Sequence, residues 1–415
     1  MTDIIRLTEE TREPGRFLLP SLVISYFATM PPGILVSLLL IEIGHTFDRS
    51  VGATGQIQTI SAFVGAITAV FMGVWSVRFP HRSLLLLGLL GISLSSVGCF
   101  LSLNFTMMLI TFSISGLGLA MVEPMVFTLV GENFQLKQRG RAIGWLMTTA
   151  ALAYLISAPF IGFIASLKFD GWRWAFLGFV LPIPLLSFVI AAKGVPSPTQ
   201  SPTTMKNQGM YWEGYKEVIF NRSATSCLVG SVLRVAGFQA ILLYGVAFLR
   251  ERFLITIRFA SIIIIVGALC FIIGSQVSGH VINRLGMKPV TILTAIGAGI
   301  FTITQMNVPN FGLAVTFRFL AGMSFGLLAT VANSLSLEQI PSFRGTMMSL
   351  NSASTWMGSA LGASVGGLAL NFFDYNGVGI ALGTMVIAAA IIYYLLVSDP
   401  TRIKSNDSKS YTQKI

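Results

Sequence analysis

Charge is what this chain has least of. Only 10% of its 415 residues are Asp, Glu, Lys or Arg, where an ordinary soluble domain carries roughly a quarter. With 54% of residues hydrophobic, more apolar surface exists than a soluble fold can hide. Acids are scarcer than bases: 16 against 27, a formal net charge of +11. A nucleic-acid-binding protein would cluster those cations on a soluble fold. Here they fall between long apolar runs, which fits contact with an anionic membrane surface and no nucleic acid. The three cysteines, Cys99, Cys227 and Cys270, are far apart and sit in apolar segments. That excludes a disulfide framework and any metal-ligand spacing, and leaves them as small buried hydrophobes. His45, His81 and His280 lie near the ends of apolar runs and form no cluster, so neither a histidine relay nor a metal site is expected. A phosphate-cradling glycine-rich loop followed by Lys-Ser or Lys-Thr is missing as well, which argues against ATP hydrolysis by the chain itself. No cofactor is expected, and no Asp-rich loop marks a membrane-embedded transferase.

What the chain does have is length in its apolar runs. A helix needs about 20 largely apolar residues to cross the hydrocarbon core. Such runs occur near 17–41, 52–77, 83–103, 106–130, 142–167 and 172–192, and again near 224–249, 255–281, 289–306, 309–335, 345–371 and 377–397. They are too long, and lack the two-residue alternation, for a strand barrel. With the N-terminus inside, nineteen of the 27 Lys and Arg fall in inner loops or tails, six in outer loops and two within spans. That threefold bias is what the positive-inside rule predicts for an even number of spans with both termini cytoplasmic. The first sixteen residues mix Asp3, Arg6, Glu9, Glu10, Arg12, Glu13 and Arg16, unlike the basic-then-apolar pattern of a cleaved leader. The expected organisation is a cytoplasmic tail (1–16), a six-helix bundle (17–192), a cytoplasmic linker (193–223), a second six-helix bundle (224–397) and a cytoplasmic tail (398–415). Pro196, Pro198 and Pro202 among Ser and Thr make the start of the linker extended.

The two sets of six share a register. Gly73, Arg78 and Arg82 after the second span recur 206 residues later as Gly279, Arg284 and Lys288 after the eighth. The same offset relates Gly116 to Gly322 and Glu132 to Glu338, and an offset of 205 relates Arg139-Gly140 to Arg344-Gly345 and Gly162 to Gly367. Landmarks repeated in matching loops indicate a duplicated six-helix unit and a pseudo-twofold axis along the membrane normal.

At these residues the chain resembles the major facilitator superfamily, whose loop between the second and third helices reads G-x-x-x-D-R-x-G-R-[RK]. The first copy keeps Gly73, Arg78 and Arg82 but has Val77, Pro80 and His81 at the aspartate, glycine and first basic positions. The second copy is nearer, with Gly279, Asn283, Arg284, Gly286 and Lys288. Gly286 supplies a turn. A helix-5 motif of the family's proton-linked antiporters, G-P-x-x-G-G, is matched in part by Ala158, Pro159 and Gly162. Asp170-Gly171-Trp172-Arg173 is similar to the family's start of helix 6. The resemblance runs from about Phe17 to Leu396 and is strongest to the drug:proton antiporters and their sugar-efflux relatives. It implies an all-α integral membrane protein, twelve transmembrane helices in two pseudo-symmetric six-helix bundles, monomeric in a lipid bilayer. It also implies a carrier of a small-molecule substrate and protons whose first, fourth, seventh and tenth helices line the path.

Ionic groups inside a bilayer are costly, about 2.5–3.5 kcal/mol on insertion scales, and so normally face a cavity or a partner. Glu123, Arg234 and Arg318 fall inside the fourth, seventh and tenth spans. They are the candidates for proton coupling or for the substrate cavity. Pro124 follows Glu123 and lets that helix bend. Tyr26, Gln239, Tyr244 and Asn333 are candidate hydrogen-bonding groups of the cavity, although most such residues merely bond neighbouring helices. Pro31-Pro32-Gly33 should interrupt the first span, and Gly358, Gly362 and Gly366 give one face of the eleventh a smooth surface. The resulting expectation is a proton-coupled secondary transporter exporting a small organic solute from the cell by alternating access. The alternatives are uptake or exchange of an organic anion, a non-transporting membrane sensor and a membrane-embedded enzyme.

Overall fold

The structure, a computed structural model, describes residues 17–167, 170–196 and 208–399. The expected tail 1–16, the first part of the linker (197–207) and the tail beyond residue 399 lie outside the described residues. Among the described residues there is no strand. Among those residues eleven helical stretches are long and apolar enough to cross a bilayer: α1 (Leu18–Leu38), α2 (Val51–Ser76), α3 (His81–Leu101), α4 (Phe105–Asn133), α5 (Arg141–Ala165), α6 (Gly171–Gly194), α7 (Arg222–Phe253), α8 (Ile257–Leu285), α9 (Met287–Asn307), α10 (Phe311–Leu337) and a last stretch, Pro341–Leu396. That last stretch has 56 residues, about twice what one crossing needs. Its backbone leaves helical geometry at Phe373 (φ −137°) and Asp374 (φ 54°), so it is two spans, α11 (344–372) and α12 (375–396). The twelve expected spans are present. A further helix, Gln208–Phe220, occupies the second part of the linker.

The helix ends have local causes. Asn104 accepts from the Met107 N–H (2.8 Å) at the start of α4, and Asn310 accepts from the Leu313 N–H (3.2 Å) at the start of α10. These N-caps satisfy donors that no preceding turn supplies, and they are 206 residues apart. In α1 the helix stops at Phe27 and restarts at Pro31, because proline has no N–H to continue the ladder. The Thr29 hydroxyl takes up the Tyr26 carbonyl at 2.7 Å. Gly286, between α8 and α9, adopts φ +86° and ψ 164°, a region open essentially to glycine alone. Gly286→Ala is expected to lower stability by about 1–3 kcal/mol, read as a fall in the midpoint of thermal unfolding in detergent. An unchanged midpoint would show that the turn relaxes at no cost.

The chain divides into two compact units. The first holds α1, α2 from Ile60, α3 to α6 and the first turns of α8 (Ile257–Ile262). The second holds the first turns of α2 (Ser50–Thr59), α7, the rest of α8 and α9 to α12. Phe63, Ile67, Val70, Phe71 and Val74 are all more than two-fifths exposed, and their spacing puts them on one stripe of α2. An apolar patch of that kind belongs against lipid, not water.

Since lipid is as oily as any leucine, helices here are held by close packing rather than by escape from water. Glycine provides it. In the first unit a Cβ on Gly116 (α4) would fall on the Ser61 carbonyl of α2, and one on Gly118 would crowd the Gly88 carbonyl of α3 at 2.6 Å. In the second unit Gly358 and Gly362 of α11 lie on the Val232 and Ala236 carbonyls of α7, and Gly366 lies on the Tyr244 ring. The smooth face of α11 is thus filled by α7. The repeat is visible in these contacts too: Gly116 meets Ser61 O, and 206 residues on Gly322 meets Gly267 O. Buried Ser21, Ser25, Ser93 and Ser96 return their hydroxyls to carbonyls one turn back, so that these four donors are satisfied within their own helices.

Candidate functional site

In the first unit the chemistry gathers on α4. Glu123 is a partly buried side chain near the middle of that helix. Tyr26 of α1 and Tyr154 of α5 lie within electrostatic range of each other, and Glu123 lies within range of Tyr26. The facing is fixed by a second contact: Tyr26 packs edge-on against Phe127 at 5.5 Å between ring centroids, and Phe127 is one turn beyond Glu123 on the same side of α4. No Lys, Arg or His among the described residues is paired with Glu123. Pro124 removes one rung of the α4 ladder beside it. The carboxyl group therefore sits at a bendable point, within electrostatic range of Tyr26 and paired with no cation among the described residues.

In the second unit Arg234 of α7 is 7% exposed. Its Nη2 donates to Asn333 Oδ1 of α10 at 2.8 Å. Asn351 of α11 donates to the same oxygen at 3.1 Å, and its own Oδ1 accepts from the Ser231 hydroxyl at 2.7 Å. The Tyr393 hydroxyl of α12 adjoins Ser231 and Arg234, its ring lying against Gly230. Four helices thus converge on one guanidinium. Sequence reading named Arg234 and Asn333 but missed Ser231, Asn351 and Tyr393. Ser231 had a signal, standing three residues before Arg234 on one helical face; Asn351 had none beyond being an amide inside a span.

The other predicted residues in this unit have separate places. Arg318 of α10 is 5% exposed, and its Nη1 donates at 2.9 Å to the Ile241 carbonyl. Ile241 belongs to Ala240–Tyr244, where α7 widens to a π-helical turn. Such a turn frees a carbonyl from the α-helical ladder, and Arg318 takes it up. Gln239 donates to the Ser359 hydroxyl at 2.5 Å, and the Tyr244 hydroxyl donates to the Ala363 carbonyl. Both bind α7 to α11. An apolar groove lined by Leu368 and Phe372 of α11, Phe373 at the break and Ile380 of α12 contains none of the predicted residues.

The loop motifs are mixed in their contacts. Between α2 and α3, Arg82 donates to the Ala192 carbonyl of α6, and Arg78 is exposed. His81, at the first basic position, bonds Glu132 Oε1 through Nδ1 at 2.7 Å and the Ser76 carbonyl through Nε2 at 2.9 Å. Its repeat partner Glu338 instead meets Arg344 at 2.8 Å. Gly73 and Gly279 lie within α2 and α8. Asn283 and Arg284 are exposed, Lys288 is partly buried, and Gly286 makes the expected turn. In α5, Ala158 is buried and Pro159 lies inside a helix that runs on through it. Gly162 lies against Ser261 and Ile257 in the first turns of α8, and a Cβ there would sit 2.5 Å from Ser261 Oγ.

Comparison with known proteins agrees with this architecture. The family model described as Major Facilitator Superfamily matches residues 18–253 and 227–414. A probable 4-methylmuconolactone transporter of Cupriavidus pinatubonensis is 25% identical over 366 residues, covering 86% of this chain and 83% of its own. Multidrug resistance protein 2 of Bacillus subtilis is 23% identical over 328 residues, covering 78% and 80%. Among solved structures, a D-xylose–proton symporter superposes with a TM-score of 0.78 at 16% identity, covering 92% of this chain and 98% of that one. A bacterial homologue of the human lysosomal transporter Spinster, inward-facing, gives 0.75 at 16%, covering 91% and 96%. The chain belongs to the Major Facilitator Superfamily and is a multi-pass membrane transporter, not an enzyme.

Proposed function

We propose that this protein is a proton-coupled secondary transporter that exports a small organic solute across the cell membrane by alternating access, with both termini in the cytoplasm. The observation that carries the reading is Glu123, an acid in the middle of a span with no cation among the described residues paired to it. Holding an ionised carboxylate in that setting is expensive, and a bound proton removes the expense. A bend at Pro124 that opens Glu123 to water on one side and then the other would load and release that proton. Export is favoured by the antiporter-like pattern at Ala158, Pro159 and Gly162 and by the name of the B. subtilis relative. The cytoplasmic placement of both termini rests on the skew of Lys and Arg toward one set of loops.

The test uses proteoliposomes loaded with a pH-sensitive dye. Benzoate, 4-methylmuconolactone, D-xylose and ethidium are added outside, with protein-free liposomes as control. At least one should provoke a protein-dependent change in internal pH and be driven uphill by an imposed pH gradient. Protein-dependent flux that moves no protons and ignores the gradient would overturn the coupling.

A further inference from the structure

The hydrogen bonds around Arg234 have a direction. A guanidinium can only donate, so Asn333 must turn its oxygen toward Arg234 and its amide nitrogen away. Asn351 donates to that same oxygen. Its own oxygen is thereby left for the Ser231 hydroxyl. Asn333 Oδ1 thus accepts twice and Asn351 Oδ1 once. What remains is a surplus of donors. The Asn333 amide nitrogen has no acceptor among the described residues, and the Arg234 Nε–H is buried without a partner. Charge is unbalanced in the same sense, because no carboxylate among the described residues pairs with Arg234.

A buried cation left without an anion is a standing cost, and buried donors are nearly always matched. Arg318 also has a buried Nε–H without a partner and no paired carboxylate among the described residues, but its Nη1 is taken up by the backbone carbonyl of a widened turn. Arg234 is instead ringed by neutral side chains from α7, α10, α11 and α12, the Tyr393 hydroxyl among them, that orient it and leave its charge unmatched. Asn333 is only partly buried, so the cluster can be reached from that side. The missing piece is an acceptor bearing negative charge and small enough to sit against a planar fork and an amide, which describes a carboxylate.

We propose that Arg234 and Asn333, positioned by Asn351 and Ser231, form a subsite for the carboxylate of an organic anion, the charged end of the transported solute. This rests on the transporter reading but not on proton coupling. It assigns opposite duties to the two ionic residues: Glu123 takes the proton, and Arg234 takes the solute.

The purified full-length protein, in detergent at fixed pH and with no gradient, is heated in the presence of benzoate, succinate or inorganic phosphate. Benzamide, succinamide and benzylamine serve as neutral and cationic counterparts. Benzoate or succinate should raise the unfolding midpoint saturably while its amide does not. Arg234→Gln should weaken that effect by about tenfold or more, as loss of a charge-assisted hydrogen bond does. Asn333→Asp places a carboxylate where the anion is expected, so it should raise the midpoint without ligand and abolish the response. This variant keeps the arginine and reads the same subsite if Arg234→Gln does not fold. No shift with either carboxylate, an equal shift with the amides, a response to phosphate alone, or a carboxylate response that survives Asn333→Asp would each overturn the assignment. A normal carboxylate response with no proton movement in liposomes would sink the coupling and leave this subsite standing.

Discussion

Glu123→Gln is expected to reduce gradient-driven transport to the level of protein-free liposomes while leaving the protein folded. Glutamine has the shape of a protonated glutamate, but it cannot release a proton. Any cycle that depends on loading and unloading at this position stops at its first coupled step. Stability should not fall by more than about 0.5 kcal/mol, because the change removes an ionisable group that has no cation to lose. Downhill exchange of solute against solute, which needs no net proton movement, should persist. Three measurements decide the matter: uphill accumulation under a pH gradient, exchange at equal pH on both sides, and the thermal midpoint. Uphill transport at the wild-type rate would remove Glu123 from the mechanism. Loss of folding would instead assign it to the packing of α4 against α1 and α5.

The spans were legible in the sequence because a bilayer leaves the chain little choice. Backbone groups in oil must bond within their own helix, and the oil sets the length. The expected run 289–306 became Met287–Asn307, and the expected run 309–335 became Phe311–Leu337. The thin break between the third and fourth runs proved to be a capped helix start at Asn104. Side-chain partnerships were much less legible. In a soluble protein the apolar stripe tells which way a helix faces; in a membrane both the lipid side and the bundle side are apolar, so rotation about the helix axis is poorly encoded. Ser231 and Asn351 are 120 residues apart and meet only because α7 and α11 turn particular faces to each other along the Gly358–Gly362 contact. The π-helical turn at Ala240–Tyr244, which gives Arg318 its carbonyl, left no mark in composition or spacing. His81 shows the opposite lesson. It broke the family's loop pattern, and the same substitution supplied an imidazole that Glu132 engages at 2.7 Å.

Duplication leaves two glycines, 206 residues apart, under unequal demands. A methyl group on Gly116 would land on the Ser61 carbonyl oxygen, with the carbonyl carbon and the Ser61 hydroxyl also inside normal contact distance. These are backbone atoms of a packed helix, not the end of a side chain that can swing aside. Room is made only by moving α4 away from α2, at the expense of dispersion along the whole crossing. A methyl group on Gly322 would stand 3.4 Å from the Gly267 carbonyl, an ordinary contact. Gly116→Ala is therefore expected to lose stability at or beyond the top of the usual range of about 1–3 kcal/mol for overpacking. Gly322→Ala should be near neutral, since alanine's higher helix propensity offsets by up to about 1 kcal/mol what little crowding it causes. The comparison needs only the two variants, their thermal midpoints in detergent and their yield in the membrane fraction. The Ser61–Ser115 hydroxyl pair, 3.4 Å apart across the same crossing, offers a check: if α4 has moved, Ser115→Ala added to Gly116→Ala should cost less than it does alone. Equal losses at the two glycines would mean that the two crossings are equally tight. The close approach of α2 and α4 would then have to be given up as the feature that sets the first bundle apart from its repeat.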